Sequence, residues 1–500
     1  MADMFQVLCG FAAVFLALYY YYTSTFHFWK DRNIRGPRPI AFIGNFANLL
    51  FKRKSISEQV TEWYKEYKDE PAFGLYEGRS PVLVINDLDM VKSVLIGDFS
   101  QFVNRGFRIF PEIERLSQHL FSLEAERWRP LRAKLSPVFT SGKLKEMFPL
   151  MLECSEDLNK YLNERTKTCD IIDCKDLAAK FTTDVIGSCV FGISMNAISN
   201  EESEFRRMGK AMFEATPRTL LRDAARQFTP SLYGIIGGHL QSVETEQFFI
   251  NVITDTIKYR REHNVVRPDF IHMLMELQDH PEKIDNIELT NSMLTAQAFV
   301  FFAAGFETSS STISHALYEL AQNHDIQEKL RQEIRNTYGG SNKALTYDQI
   351  KEMKYLDKVF KETLRKYPLL SAITRQAMKD YTFKGTKLTI PKDTVVWIPV
   401  YGLQKDPNIY PKPDVFDPER FNEDIFATRH PMSYLPFGDG PRNCIGARFA
   451  NYQSKLGVIS IIRDYKVDVC DKTSIPYKSD RNAFVMTMKE SFLRVTKVET

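Results

Sequence analysis

The first pattern in the chain is an apolar run, residues 4–22, in which Gln6 is the one clearly polar side chain. At 1.5 Å per residue it is long enough to cross about 30 Å of hydrocarbon. It ends in four consecutive tyrosines, Tyr19 to Tyr22, residues suited to a membrane interface. It lacks a basic leader and a small-x-small cleavage site, so the reading is an uncleaved anchor helix within residues 1–25. Lys30, Arg32, Arg35 and Arg38 follow it, while Asp3 precedes it, an asymmetry that keeps the rest of the chain on the cytosolic side. Residues 26–40 read as a linker, extended and stiff at Gly36-Pro37-Arg38-Pro39. Residues 41–500 read as one domain. Alternation predicts strands at 72–76 and 81–85 with a turn at Gly78, a strand group within 382–400, and late strands at 484–488 and 492–498. Most of the remainder has helical spacing, so the fold class is mainly α with small β-sheets.

One helical stretch differs from the others. From Thr290, a suitable N-cap, to Asn323, the interior is almost entirely apolar or small. Such a helix runs through the centre of a protein or through a membrane. Glu307, Thr308 and the hydroxyl run from Ser309 to Thr312 would be costly in lipid, which leaves a core helix.

Composition narrows the function. The 500 residues carry 66 basic against 63 acidic side chains, a formal charge of +3, and nothing in that balance argues for nucleic acid. Seven scattered cysteines lack the dense pairing of a disulfide framework, and no Asn-x-Ser/Thr acceptor occurs, both consistent with a reducing compartment. There is no G-x-G-x-x-G fingerprint, no phosphate loop of the G-x-x-x-x-G-K-[ST] kind and no H-E-x-x-H pair, so electrons for any redox chemistry must come from another protein.

The most specific chemistry lies at residues 437–446, Phe-Gly-Asp-Gly-Pro-Arg-Asn-Cys-Ile-Gly. Gly438 and Gly440 permit a tight turn, Pro441 stiffens it, and Cys444 is presented just ahead of a helical run whose amides would favour a thiolate. This stretch resembles the cysteine-ligand loop of the cytochrome P450 family, Phe-x-x-Gly-x-Arg-x-Cys-x-Gly, at every fixed position. The resemblance spans almost the whole chain. Within the family it looks like the microsomal insect group associated with plant toxins and insecticides.

The resemblance implies a P450 fold built around a long central helix, with haem b held by the Cys444 thiolate as metal ligand. Phe437, Gly438 and Ala304 would border the cofactor, and Trp128, Arg132, Arg375 and Arg442 would meet its propionates. Glu307 and Thr308, in Ala304-Gly305-Phe306-Glu307-Thr308-Ser309, would relay protons to bound dioxygen, although Glu307 could instead mainly shape the helix and its water. Glu362 and Arg365 match the Glu-x-x-Arg pattern, and Arg420 would complete a structural network behind the cysteine loop. Substrate candidates by the same comparison are Phe121, Phe213, Val300, Ala304, Ala372, Ile373 and Phe484, mostly apolar and aromatic.

The implied activity is insertion of one oxygen atom of dioxygen into a lipophilic substrate, with electrons from NADPH through a separate flavoprotein reductase and with a b-type cytochrome as a further partner. Xenobiotic metabolism is the first reading of its role. Oxidation of an endogenous lipid, hormone or pheromone is the second, and a haem-thiolate isomerase or dehydratase the third. The implied location is the endoplasmic reticulum membrane with the domain facing the cytosol. Residues 228–236 either dip into the bilayer or pack on their own domain. Arg127, Arg129, Lys134, Lys143, Lys145, Arg448 and Lys455 are candidates for a basic face toward an acidic reductase.

Overall fold

The computed structural model describes residues 2–498 apart from 201–202, 214–215, 241–242, 268, 281–289 and 340–344. The helix Ala2–Thr23 carries the apolar run, and its described residues before Tyr22 are all exposed. Beyond this helix the chain docks on the domain. The Trp29 indole donates to the Leu75 carbonyl (2.9 Å) and fills the space where a Cβ on Gly74 would stand. The Gly74 amide in turn donates to Arg35 O (2.8 Å). Residues 34–39, with Gly36 and the two prolines, form neither helix nor strand.

Helices dominate, and the sheets are small. The largest has the order Ala72–Glu77, Ser80–Ile85, Val395–Ile398, Ile373–Gln376, with the first and last pairs antiparallel and the middle pair parallel. A second sheet joins Ile171–Asp173, Phe492–Lys497 and Tyr465–Asp468, and a two-stranded ribbon pairs Tyr381–Thr382 with Thr389–Ile390. The turn at Gly78 has φ +58°, which glycine adopts without strain. The strand expected at 484–488 does not form. Its backbone instead makes single bonds, Met486 N to Leu369 O (2.8 Å) and Thr487 O from Asp480 N (2.7 Å), so no ladder exists for it to join.

The long apolar stretch is one helix, Asn291–Leu320, with the Thr290 side chain accepting from Met293 N (3.2 Å). It packs on Cys174–Ile186 and on Ala447–Ile462, and nearly all of its second half is buried. Gly305 is small for that packing: a Cβ there would lie 2.4 Å from Ile186 Cδ1, so this glycine serves the helix contact. Three of the helix's buried polar side chains find partners across the core. Ser311 bonds Thr487 (3.0 Å), His315 bonds Tyr477 (2.9 Å), and Glu319 takes Lys366 (2.7 Å) and the Tyr367 hydroxyl. Burial pushes the His315 imidazole down to about 3, so it sits in the core neutral.

Candidate active site

The cysteine loop is built as its glycines require. Gly438 and Gly440 have φ of +66° and +74°, and a Cβ on Gly440 would stand 1.9 Å from the Leu95 carbonyl oxygen. The turn closes when Cys444 N donates to Phe437 O (2.9 Å). The helix Ala447–Ile462 begins three residues later, with Gly446 as its N-cap. Cys444 has accessible surface yet lies deep among protein atoms, the combination expected of a side chain lining an internal space. Burial raises its thiol, opposed by the Gly446 N–H and the guanidiniums of Arg132 and Arg105.

Ala304 lines an opening of the same kind. It is exposed in the middle of the buried central helix, where a methyl group leaves room for a flat ligand. Thr308, one turn on, donates its hydroxyl hydrogen to Ala304 O (2.5 Å), which fixes the rotamer. Its neighbour Glu307 is buried and faces Lys175 at 3.5 Å. The carboxylate is therefore held toward the helix Cys174–Ile186, and Thr308 is the more open member of the pair.

The cations are the most telling feature. Arg375 and Arg442 are buried, and the half-buried Arg105 lies near enough to act on both electrostatically. Each has an Nε–H without a hydrogen-bond partner among the described residues. Burial together with mutual repulsion pushes Arg442 down to about 9 and Arg375 well below its usual value, and burial takes Arg105 down to about 10. Guanidiniums do not give up their protons under such pressure; they hold a place for anions. The two propionates of a haem are anions of the right number and kind. With Cys444 to ligate iron and Ala304 to leave room for the ring, the donor set fits that cofactor.

The remaining predicted residues separate. The Trp128 ring lies 4.9 Å from the Arg442 guanidinium, and Arg132 is turned to Asn443, donating to its carbonyl (3.0 Å) and side chain (2.9 Å). Phe437 packs against Phe360, Leu364 and Leu369. Phe121, Ala372 and Phe484 line one cleft of about 880 Å³ whose wall also includes Arg105. Ile373 does not line it: the strand alternation sends Ile373 and Arg375 to the face opposite Ala372 and Thr374, and Ile373 lies beneath Gly438. Phe213 packs on Phe306 (5.7 Å), and Val300 is half-buried on the central helix.

Behind the loop, Glu362 receives Arg365 in a two-pronged pair (2.6 and 2.8 Å) and has Arg420 Nε at 3.4 Å and Asp417 N at 3.0 Å. Arg365 also donates to Gln404 O (2.9 Å) and Pro413 O (2.8 Å), and Gln404 Oε1 accepts from Leu435 N (2.9 Å), two residues before Phe437. The network thus reaches the root of the cysteine loop. Sequence reasoning missed Arg105, Lys175, Gln404 and Gln297, none of which stands in a recognisable local pattern.

The comparisons agree with this geometry. The Cytochrome P450 family model matches residues 34–495. The chain is 40% identical to cytochrome P450 6A1 of Musca domestica over 95% of this chain and 94% of that protein. It is 39% identical to cytochrome P450 6a2 of Drosophila melanogaster over 99% of this chain and all of that one, and 37% to cytochrome P450 6k1 of Blattella germanica over 95% and 94%. A cysteine aimed into an internal space, cations in want of anions and a family match along nearly its full length agree on one conclusion: the chain belongs to the cytochrome P450 family and is a haem-dependent monooxygenase.

Proposed function

We propose that the protein is a membrane-anchored monooxygenase that oxidises lipophilic xenobiotics such as plant toxins or insecticides, taking electrons from NADPH through a separate flavoprotein reductase. The observation that carries this reading is the mutually repelling set Arg105, Arg375 and Arg442, each with an orphan donor, of which Arg105 acts on Cys444. Haem, when bound, supplies the dioxygen chemistry; the protein binds it, orients the substrate and manages protons. Cys444 would ligate the iron, Arg105, Arg375 and Arg442 would hold the propionates, with the Trp128 ring 4.9 Å from the Arg442 guanidinium, and Ala304 would leave room for the ring. The cleft that passes Phe121, Ala372 and Phe484 also carries charged groups such as Arg105, Arg226 and Asp393, so an apolar substrate would be held by shape against its aromatic part.

The domain stands on the cytosolic face of the endoplasmic reticulum membrane. Phe42 packs on Phe15, Tyr19 and Tyr22 of the anchor helix, and Phe228 lies over Gly78, itself beside Phe42. In the adjoining helix Pro230–Ile236, Leu232 and Ile235 are exposed. Anchor and residues 228–236 therefore form one apolar side that meets the bilayer. The reductase face is smaller than the sequence suggests. Lys455 is buried on Asp357 (2.6 Å), and Arg127, Lys143 and Lys145 are paired with acids, leaving Arg129, Lys134 and Arg448. A b-type cytochrome would share that face.

The reduced protein with carbon monoxide should give the red-shifted Soret band of a thiolate-ligated haem, and NADPH and dioxygen should be consumed only when reductase is added. Turnover without reductase would instead favour an isomerase or dehydratase. Thr308→Val, nearly isosteric, should leave substrate affinity within about two-fold while product per NADPH falls roughly 100-fold, the lower end of what a positioned acid–base group contributes, and hydrogen peroxide release rises. Unchanged coupling in that variant would remove Thr308 from proton handling.

A further inference from the structure

Residues 102–124 pass the Arg105 and Arg442 guanidiniums with little regular structure, yet they carry Phe121 into the cleft. An irregular segment can hold an aromatic ring in one place only if its backbone is tied down. One tie is Arg442, whose guanidinium donates to Val103 O (2.6 Å), Leu123 O (2.5 Å) and Phe121 O (3.3 Å). The other comes from the central helix. Gln297, fully buried, accepts from Leu120 N (2.8 Å) and donates to Gln118 O (2.8 Å) and to Met293 O of its own helix (2.9 Å). One side-chain amide thereby uses its acceptor and its donors to copy a strand-like pairing with the segment. Between the two ties stands Phe121, its ring stacked on Phe107 (5.5 Å) and covered by the Arg105 guanidinium (4.3 Å). Arg105 itself donates to Arg442 O (3.2 Å).

We propose that Gln297 is a positioning residue for substrate selection: it clamps the backbone on either side of His119 to the central helix and so sets where the Phe121 ring stands in the cleft. This deepens the monooxygenase reading and rests on it for the meaning of the cleft. The amide acts through Phe121 and touches no substrate. Its loss removes three hydrogen bonds, two of them fully buried, and takes from Leu120 N and Gln118 O the partner that Gln297 supplies, so the segment must shift to find water. Phe121 then no longer presents one wall of fixed shape, and bulky ligands lose more than small ones.

The test uses Gln297→Met, close in volume and unable to make the bonds, alone and combined with Phe121→Ala in the full-length protein. Two azoles that ligate haem iron directly serve as probes, imidazole as the small one and clotrimazole as the bulky one, titrated spectrally in the haem-loaded fraction. Gln297→Met should weaken clotrimazole about ten-fold and imidazole less than two-fold, and in the Phe121→Ala background it should change clotrimazole less than two-fold. Equal loss for both azoles, no loss, or a full effect without Phe121 overturns the proposal. Amide exchange read by mass spectrometry over residues 118–123 needs no haem. It should speed up about ten-fold in Gln297→Met, and protection equal to wild type overturns the clamp. A missing thiolate-type Soret band in the wild-type protein counts against the monooxygenase reading, and the exchange result then still decides the clamp.

Discussion

Replacing Cys444 by serine is expected to abolish the red-shifted Soret band of the reduced carbon monoxide complex and product formation together. The argument is chemical before it is structural. Serine is nearly the same size, and the loop does not depend on sulfur: its closure comes from Cys444 N to Phe437 O and from the positive φ of Gly438 and Gly440. What changes is the ligand, since an alcohol does not ionise near neutral pH, whereas a thiol supplies a thiolate to a metal; burial opposes that ionisation here, and the Gly446 N–H and the Arg132 and Arg105 guanidiniums favour it. The thiolate is also what pushes electron density toward iron, so oxygenation should fall to background even where some haem is retained through Arg105, Arg375 and Arg442. Circular dichroism of the variant should match wild type. Retention of both the thiolate band and turnover would remove Cys444 from the metal.

How legible this site was depends on whether a residue's role is written in its near neighbours. The cysteine loop was legible because glycine, proline and cysteine act on the same few bonds, and the central helix because Thr290 and a long apolar run are local signals. Glu362 and Arg365 share a helix turn, and their partner Arg420 could be placed only through family resemblance. Arg105 is different: it is one arginine in an irregular segment, and only the fold brings it to Arg375 and Arg442. Lys175 is likewise hidden, since its pairing with Glu307 depends on two helices packing side by side. The close packing of Gly305 on Ile186 is hidden in the same way, because a small residue in a helix does not say which neighbour it admits. The missing strand at 484–488 fails for a related reason. Its residues have strand-like side chains, but strand formation needs a partner edge, and Leu369 and Asp480 offer only single bonds. The docking of Trp29 into the space above Gly74 was equally invisible, because a linker's composition says nothing about the socket it meets.

The second large effect is expected at Glu362. Glu362→Ala leaves Arg365, fully buried, without its two-pronged partner, and removes the carboxylate beside Arg420 and the acceptor of Asp417 N. Stranding a buried charge costs about 3–5 kcal/mol, whereas an exposed pair of the same spacing would cost about 1 kcal/mol or less. The loss should fall on assembly. Arg365 holds Gln404 O, and Gln404 holds Leu435 N at the root of the cysteine loop, so a displaced Arg365 loosens the segment that presents Cys444. The purified variant should therefore carry little haem, while any loaded fraction turns over at a rate close to wild type. Arg420→Ala should be milder. Its Nε stands 3.4 Å from Glu362, a longer contact than either Arg365 bond, and Glu362 keeps Arg365 and Asp417 N when Arg420 is gone. Haem content per protein and thermal melting of the two variants, measured side by side, give the ranking. Full haem occupancy and an unchanged melting temperature in Glu362→Ala would show that the loop stands without this network; equal damage from both variants would show that Arg420, and not the pair on the helix, sets its position.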